Sequence, residues 1–263
     1  MDLGLFDHES AMRQRYLEID ERTRHVRALL ATSGLSAQEF QDMYDASWIY
    51  HENGLEGVVL TYPEIKSAID NKIISDVSLL PTYKDIKNQK RCIDIVREKA
   101  LTKRFNVTLS FLHELRGILL DDANAGATFR RDIPIHRTYF HEIAQPSKIP
   151  TLLAKVIDYL KQKEKDQNPI EFAANVHHRF IRVFPYSQHS GTIGRLLCNF
   201  VLMRAGYLPA IIHASDRQRY YDALRGSERD FRVFLAEAME NSLENALRFC
   251  AQERSLRDQR VAP

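Results

Sequence analysis

His178-Arg-Phe-Ile-Arg-Val-Phe184-Pro-Tyr-Ser-Gln-His-Ser-Gly191-Thr-Ile-Gly-Arg195-Leu-Leu-Cys-Asn-Phe-Val-Leu-Met-Arg-Ala-Gly206-Tyr-Leu-Pro209 is the stretch on which the reading of this chain turns. It predicts a helix over 171–183, a short loop opened by Pro185, and a second helix over 193–205 closed by Gly206. The second helix is apolar nearly all round, as expected of a helix in the middle of a domain. A loop that feeds a helix N-terminus presents backbone amides to an anion.

Upstream of this stretch, Ile149, Leu152, Leu153, Val156, Ile157 and Leu160 fit an amphipathic helix, and the charged run from Lys161 to Pro169 is a solvated turn. The helical period fails between Asp121 and Pro150; Phe129 to His141, rich in Ile, Tyr, Phe and Thr with turn breakers, predicts a short β-hairpin. Leu109 to Leu119 and Cys92 to Leu101 carry two further helical faces. Thr61-Tyr-Pro-Glu64 has capping-box spacing with Pro in the first turn and starts another helix. Before it the sequence predicts a turn-rich patch over Glu52–Gly57, a helix from Ser36 to His51, and a first helix on Met12, Tyr16, Ile19, Thr23, Val26 and Leu30, closed by Ser33-Gly34. Downstream, Ser215-x-x-Gln218 and Ser227-x-x-Asp230 read as caps of two final helices, the last with a core face from Phe231 to Cys250.

The sum is an all-α chain of about ten helices with one small hairpin. It reads as a single helical unit over 1–263, made of N-terminal helices (1–105), a core (106–250) and a C-terminal tail (251–263). With 263 residues it can bury a sizeable core, and 44% hydrophobic residues are ordinary for a soluble globular protein. A net charge of +2 argues neither for nucleic acid nor for an anionic membrane. Cys92, Cys198 and Cys250 lie far apart in apolar helical contexts, so reduced, buried thiols and a cytoplasmic location are expected. No apolar run is long enough to span a bilayer, and the N-terminus lacks the pattern of a signal peptide.

The central stretch resembles the Fic family signature, H-P-F-x-[D/E]-G-N-G-R-x-x-R. The flanks match closely, through Arg195-Leu-Leu-x-Asn-x-x-Leu-x-x-x-Gly-Tyr-x-Pro. The resemblance implies the Fic (Fido) fold and a descent from protein AMP transferases. It also implies a phosphate-binding loop here formed by Ser190, Gly191, Thr192 and Arg195. Laid on without gaps, the position of the family's catalytic base is Phe184, whose ring cannot accept a proton. The metal-ligand position is Gln188, a neutral amide, so Mg²⁺ binding is expected to be weak or absent. The first Gly, the Asn and the first Arg of the pattern become His189, Ser190 and Thr192, while Pro185, Tyr186, Gly191 and Arg195 keep its shape.

Each of these residues also has a plainer reading. Arg195 can be a helix arginine capping carbonyls. His177 and His178 sit among apolar neighbours and read as core or boundary histidines. His189 is either a solvated loop side chain or a substitute base. A zinc site from His177, His178 and His189 lacks ligand spacing. Upstream, Glu52-Asn-Gly-Leu-Glu56-Gly57 resembles the N-terminal inhibitory segment of Fic proteins, [S/T]-x-x-x-E-[G/N], with Glu52 where Ser or Thr is expected. On that reading Glu56 pairs with Arg195; on the plainer one Gly57 is a C-cap after a surface Glu. The hairpin, with Ile133, Ile135, His136 and Arg137, occupies the place of the family's target-docking flap.

The resulting expectation is a degenerate Fic-fold protein, inactive for ordinary AMP transfer, that acts by binding a nucleotide such as ATP or a protein partner, with a homo-oligomer compatible. The alternatives are a divergent transferase moving AMP or another phosphate-bearing group onto a protein hydroxyl, with His189 as base, and a purely structural interaction protein.

Overall fold

A computed structural model describes residues 3–32, 36–70, 77–134, 141–162 and 167–261. Among them are ten α-helices: α1 (Leu3–Thr32), α2 (Ala37–Leu55), α3 (Tyr62–Ile69), α4 (Leu80–Leu101), α5 (Leu109–Leu119), α6 (Ile149–Lys161), α7 (Pro169–Val183), α8 (Ser190–Arg204), α9 (Arg217–Arg225) and α10 (Glu228–Val261). No strand occurs among the described residues. The segment expected to form a hairpin is irregular over Phe129–Pro134, and Ile135, His136 and Arg137 lie outside the described residues.

Helix α8 is the axis of the molecule. It packs on α7 across the motif loop and on α4 along its length. Nearly every α8 side chain is buried, from Ile193 to Met203, which explains its apolar circumference. Helix α10 spans ~51 Å at 1.5 Å per residue and packs on α1 and α7. Its helical course continues through residues 251–261, set apart as a tail in the sequence reading. On α1, Tyr16, Ile19, Thr23 and Val26 are buried, as their spacing predicts. Arg15 joins α1 to α10 through two hydrogen bonds to Glu240, at 2.6 and 2.7 Å.

The capping signals were good guides to helix starts. Thr61–Glu64 and Ser227–Asp230 form reciprocal side-chain-to-backbone bonds, and Ser36 with Glu39 forms a capping box on α2. Ser215 is the exception: it lies in a 3₁₀ turn (Ala214–Asp216), and α9 starts at Arg217 with no side-chain cap.

A second departure matters more. Helix α2 does not stop at His51 but runs through Glu52, Asn53 and Gly54 to Leu55. Gly54 is tolerated within it because α2 closes on the 207–216 segment there: a Cβ on Gly54 would fall 2.5 Å from Cβ of Ala214. The helix then ends as a glycine C-cap, with Gly57 at φ +86° and Val58 N–H donating to Asn53 O at 2.9 Å.

Candidate functional site

The motif loop is built from its own small groups. Ser190 Oγ accepts from Tyr186 N–H and donates to Tyr186 O, both at 2.8 Å, closing a ring across the turn. Tyr186 is fully buried against Phe129 and under the Arg116 guanidinium, 4.8 Å from its ring centroid. Phe184 and His189 both take left-handed backbone, at φ 44° and 64°, to enter and leave the loop. Such conformations cost ~1–3 kcal/mol each and persist because neighbours hold them. Arg130 supplies much of that hold: its Nε donates to Phe184 O at 2.6 Å, and its two NH groups reach Val183 O, Ala144 O and Asp132 O. The roots of the expected flap are thereby fastened to the C-terminus of α7.

At the base position, Phe184 is buried, with its ring centroid 5.9 Å from that of His141. Gln188, at the metal position, is exposed and neutral. No group of three His, Cys, Asp or Glu among the described residues could hold a metal ion. A neutral amide alone does not fit the Mg²⁺ that the resemblance implies. Thr192, where an arginine would hold phosphate, is buried beside Trp48, Glu52, Gln89 and Cys92 around a cavity of about 10 Å³, room for a single water. His189 is half-buried at the start of α8; burial lowers its pKa, against the pull of Glu56, Glu52 and Asp85. His177 and His178 are core residues, 1% exposed each. His177 stacks on Phe231 and shares a 2.9 Å hydrogen bond with the Tyr220 hydroxyl, and burial lowers its pKa to about 3.

Arg195 is the centre of the site, 4% exposed. The pairing with Glu56 is present: Arg195 NH2 donates to Glu56 Oε1 at 2.6 Å. Glu56 lies over Gly191, where a Cβ would come within 2.7 Å of its Oε1, so a larger residue would push the carboxylate aside. A carboxylate at a helix N-terminus is favoured by the first-turn amides of α8. The glycine C-cap and the Glu56–Arg195 contact are therefore compatible: the cap turns the chain so that Glu56 faces the loop.

The sequence reading missed the second carboxylate. Glu52, buried on the inner face of α2, grips Arg195 side-on, taking Nε at 2.8 Å and NH2 at 2.5 Å. Arg195 NH1 donates to Tyr220 OH at 3.3 Å. Burial opposes the Arg195 charge, but Glu52, Tyr220 and Glu56 outweigh it and raise its pKa. The signal for Glu52 was there: Glu52 and Glu56 are four apart and share a face, provided that the helix runs through Gly54.

Three comparisons bear on this arrangement. Residues 106–202 match the family model described as Fic/DOC family. Among curated proteins, a "Protein adenylyltransferase Fic" of Culex quinquefasciatus is 28% identical over 205 residues, covering 74% of this chain and 40% of that protein. One of Drosophila virilis is 25% identical over 240 residues, covering 88% and 48%. The chain thus spans less than half the length of either relative. Among solved structures, a Fic domain containing signaling protein from Bacteroides thetaiotaomicron superposes with TM-score 0.73 at 24% identity, covering 88% of this chain and 98% of that one. Fic-1 from C. elegans gives TM-score 0.75 at 17% identity, covering 93% and 74%. The structural likenesses show the fold alone, which is the Fic (Fido) fold; the family match over residues 106–202, taking in the motif loop and most of α8, and the similarity to protein adenylyltransferases relate this chain to the Fic/DOC family.

Proposed function

We propose that this protein does not carry out AMP transfer and acts through binding, of a nucleotide or of a protein partner. The observation that carries this reading is Phe184: a buried phenyl ring stands at the base position, and the loss of a positioned base costs ~10²–10⁴ in rate. Gln188 and Thr192 add to it, since neither offers the charge that a metal ion or a triphosphate needs. What the loop keeps (Pro185, Tyr186, Ser190, Gly191) serves the turn itself.

His189 supports a second reading, a divergent transferase. Its lowered pKa leaves the imidazole neutral at pH 7, as a base must be. One experiment separates the two: incubation of the purified protein with labelled ATP, Mg²⁺ and a panel of candidate proteins. No label above background is expected. Robust labelling that disappears in His189→Ala overturns the binding reading and supports the transferase.

A further inference from the structure

The Arg195 guanidinium has five N–H donors, and four hydrogen bonds already engage it: two to Glu52, one to Glu56 and one to Tyr220. Around this single positive charge stand two carboxylates, so the cluster is net negative, and an incoming polyphosphate would find one unclaimed N–H. The two glutamates are not equivalent. The Glu56 side chain is 29% exposed at the mouth; the Glu52 side chain is 7% exposed and takes the bidentate edge.

Helix α2 is also fastened without help from Glu56. Tyr44 OH donates to Pro209 O at 2.7 Å, Asn53 and Gln89 exchange side-chain bonds at 2.7 and 3.1 Å with α4, and Arg217 Nε donates to Leu55 O at 2.8 Å. His51 stacks on His213 with ring centroids 4.3 Å apart. The helix that carries Glu52 is part of the core.

We infer that Glu52, rather than Glu56, decides which ligands this pocket accepts: it holds Arg195 by itself and keeps polyphosphate out even when Glu56 is removed. This rests on the reading that Arg195 is the remaining phosphate contact of the loop. Glu56 acts as a releasable outer contact and Glu52 as a lock. Removing the bidentate carboxylate frees an arginine edge whose charge-assisted contact with a phosphate is worth about ten- to a hundredfold in affinity.

The test is ATP binding by isothermal titration calorimetry, with and without Mg²⁺, on wild type, Glu56→Ala, Glu52→Ser and the Glu52→Ser/Glu56→Ala double variant, with circular dichroism to verify folding. Wild type and Glu56→Ala should bind ATP equally weakly, and the double variant about ten- to a hundredfold more tightly. Should the serine variants not fold, Glu52→Gln/Glu56→Ala replaces them; it keeps an acceptor for Arg195 and should still gain affinity over Glu56→Ala. The inference is overturned if Glu56→Ala alone binds as tightly as the double variant, or if the folded double variant binds no better than wild type. AMP transfer by the wild type would sink the non-catalytic reading and leave this comparison to be judged on its own.

Discussion

Replacing Arg195 by methionine should be among the most destabilising single changes in this protein. The side chain is similar in length, so packing against α2 and α9 is largely kept. What is lost is the charge and four hydrogen bonds, two of them to the buried carboxylate of Glu52. Glu56 can turn to solvent; Glu52 cannot. Removing one partner of a buried ion pair costs ~3–5 kcal/mol because the other charge is stranded. For a chain of this size ~1 kcal/mol corresponds to ~2–4 °C, so Tm should fall by about 6–20 °C. Replacing both partners by apolar residues is often close to neutral, so Glu52→Leu/Arg195→Met should recover at least half of the loss. The assay is thermal and urea unfolding of wild type, both single variants and the double, read as a double-mutant cycle. A fall of less than about 2 °C in Arg195→Met, or a double variant as unstable as the sum of the singles, would refute the claim that the pair is a buried, mutually dependent unit.

Two further outcomes follow from the same geometry. Phe184→His, which restores the family's base type at a left-handed position that histidine tolerates better than phenylalanine, should add no AMP transfer in the labelled-ATP assay. Gln188, Thr192 and the occupied Arg195 remain as obstacles, and groups that act as a unit are not repaired one at a time. Stability should also fall with acidification: burial lowers the pKa of His177 to about 3 and that of His51 to about 4, the latter aided by His213. Below ~6.5 the unfolded chain takes up protons on these histidines that the folded chain refuses until near those lower values, so unfolding free energy drops as pH falls across that window. His51→Asn, which can still accept from Ala214 N–H, should remove close to one proton from the slope near pH 5, measured by urea unfolding between pH 4.5 and 7.5.

The sequence by itself determined most of the helices and the likeness to the Fic family. Periodicity on α1 and α6, the capping pairs at Thr61 and Ser227, and the flanks of the motif loop are local signals, set by contacts within a few residues, and they appear in the structure as read. The Glu56–Arg195 contact was legible through the family resemblance, not through spacing. What only the tertiary structure decided is where long-range packing overrides local preference. Glu52-Asn-Gly looks like a turn, yet α2 continues through it, with Gly54 allowing the continued helix to close on Ala214, and Glu52 faces inward onto Arg195. Arg130 gives no sign in sequence that it ties residues 132 and 144 to the C-terminus of α7, since its partners are backbone carbonyls of residues 132, 144, 183 and 184. Tyr220 and His177, 43 residues apart, meet only because α9 folds over α7 and α8. Carbonyl partners and distant side chains leave no periodic trace, so a sequence can declare the fold while the charge balance at its centre is settled by packing.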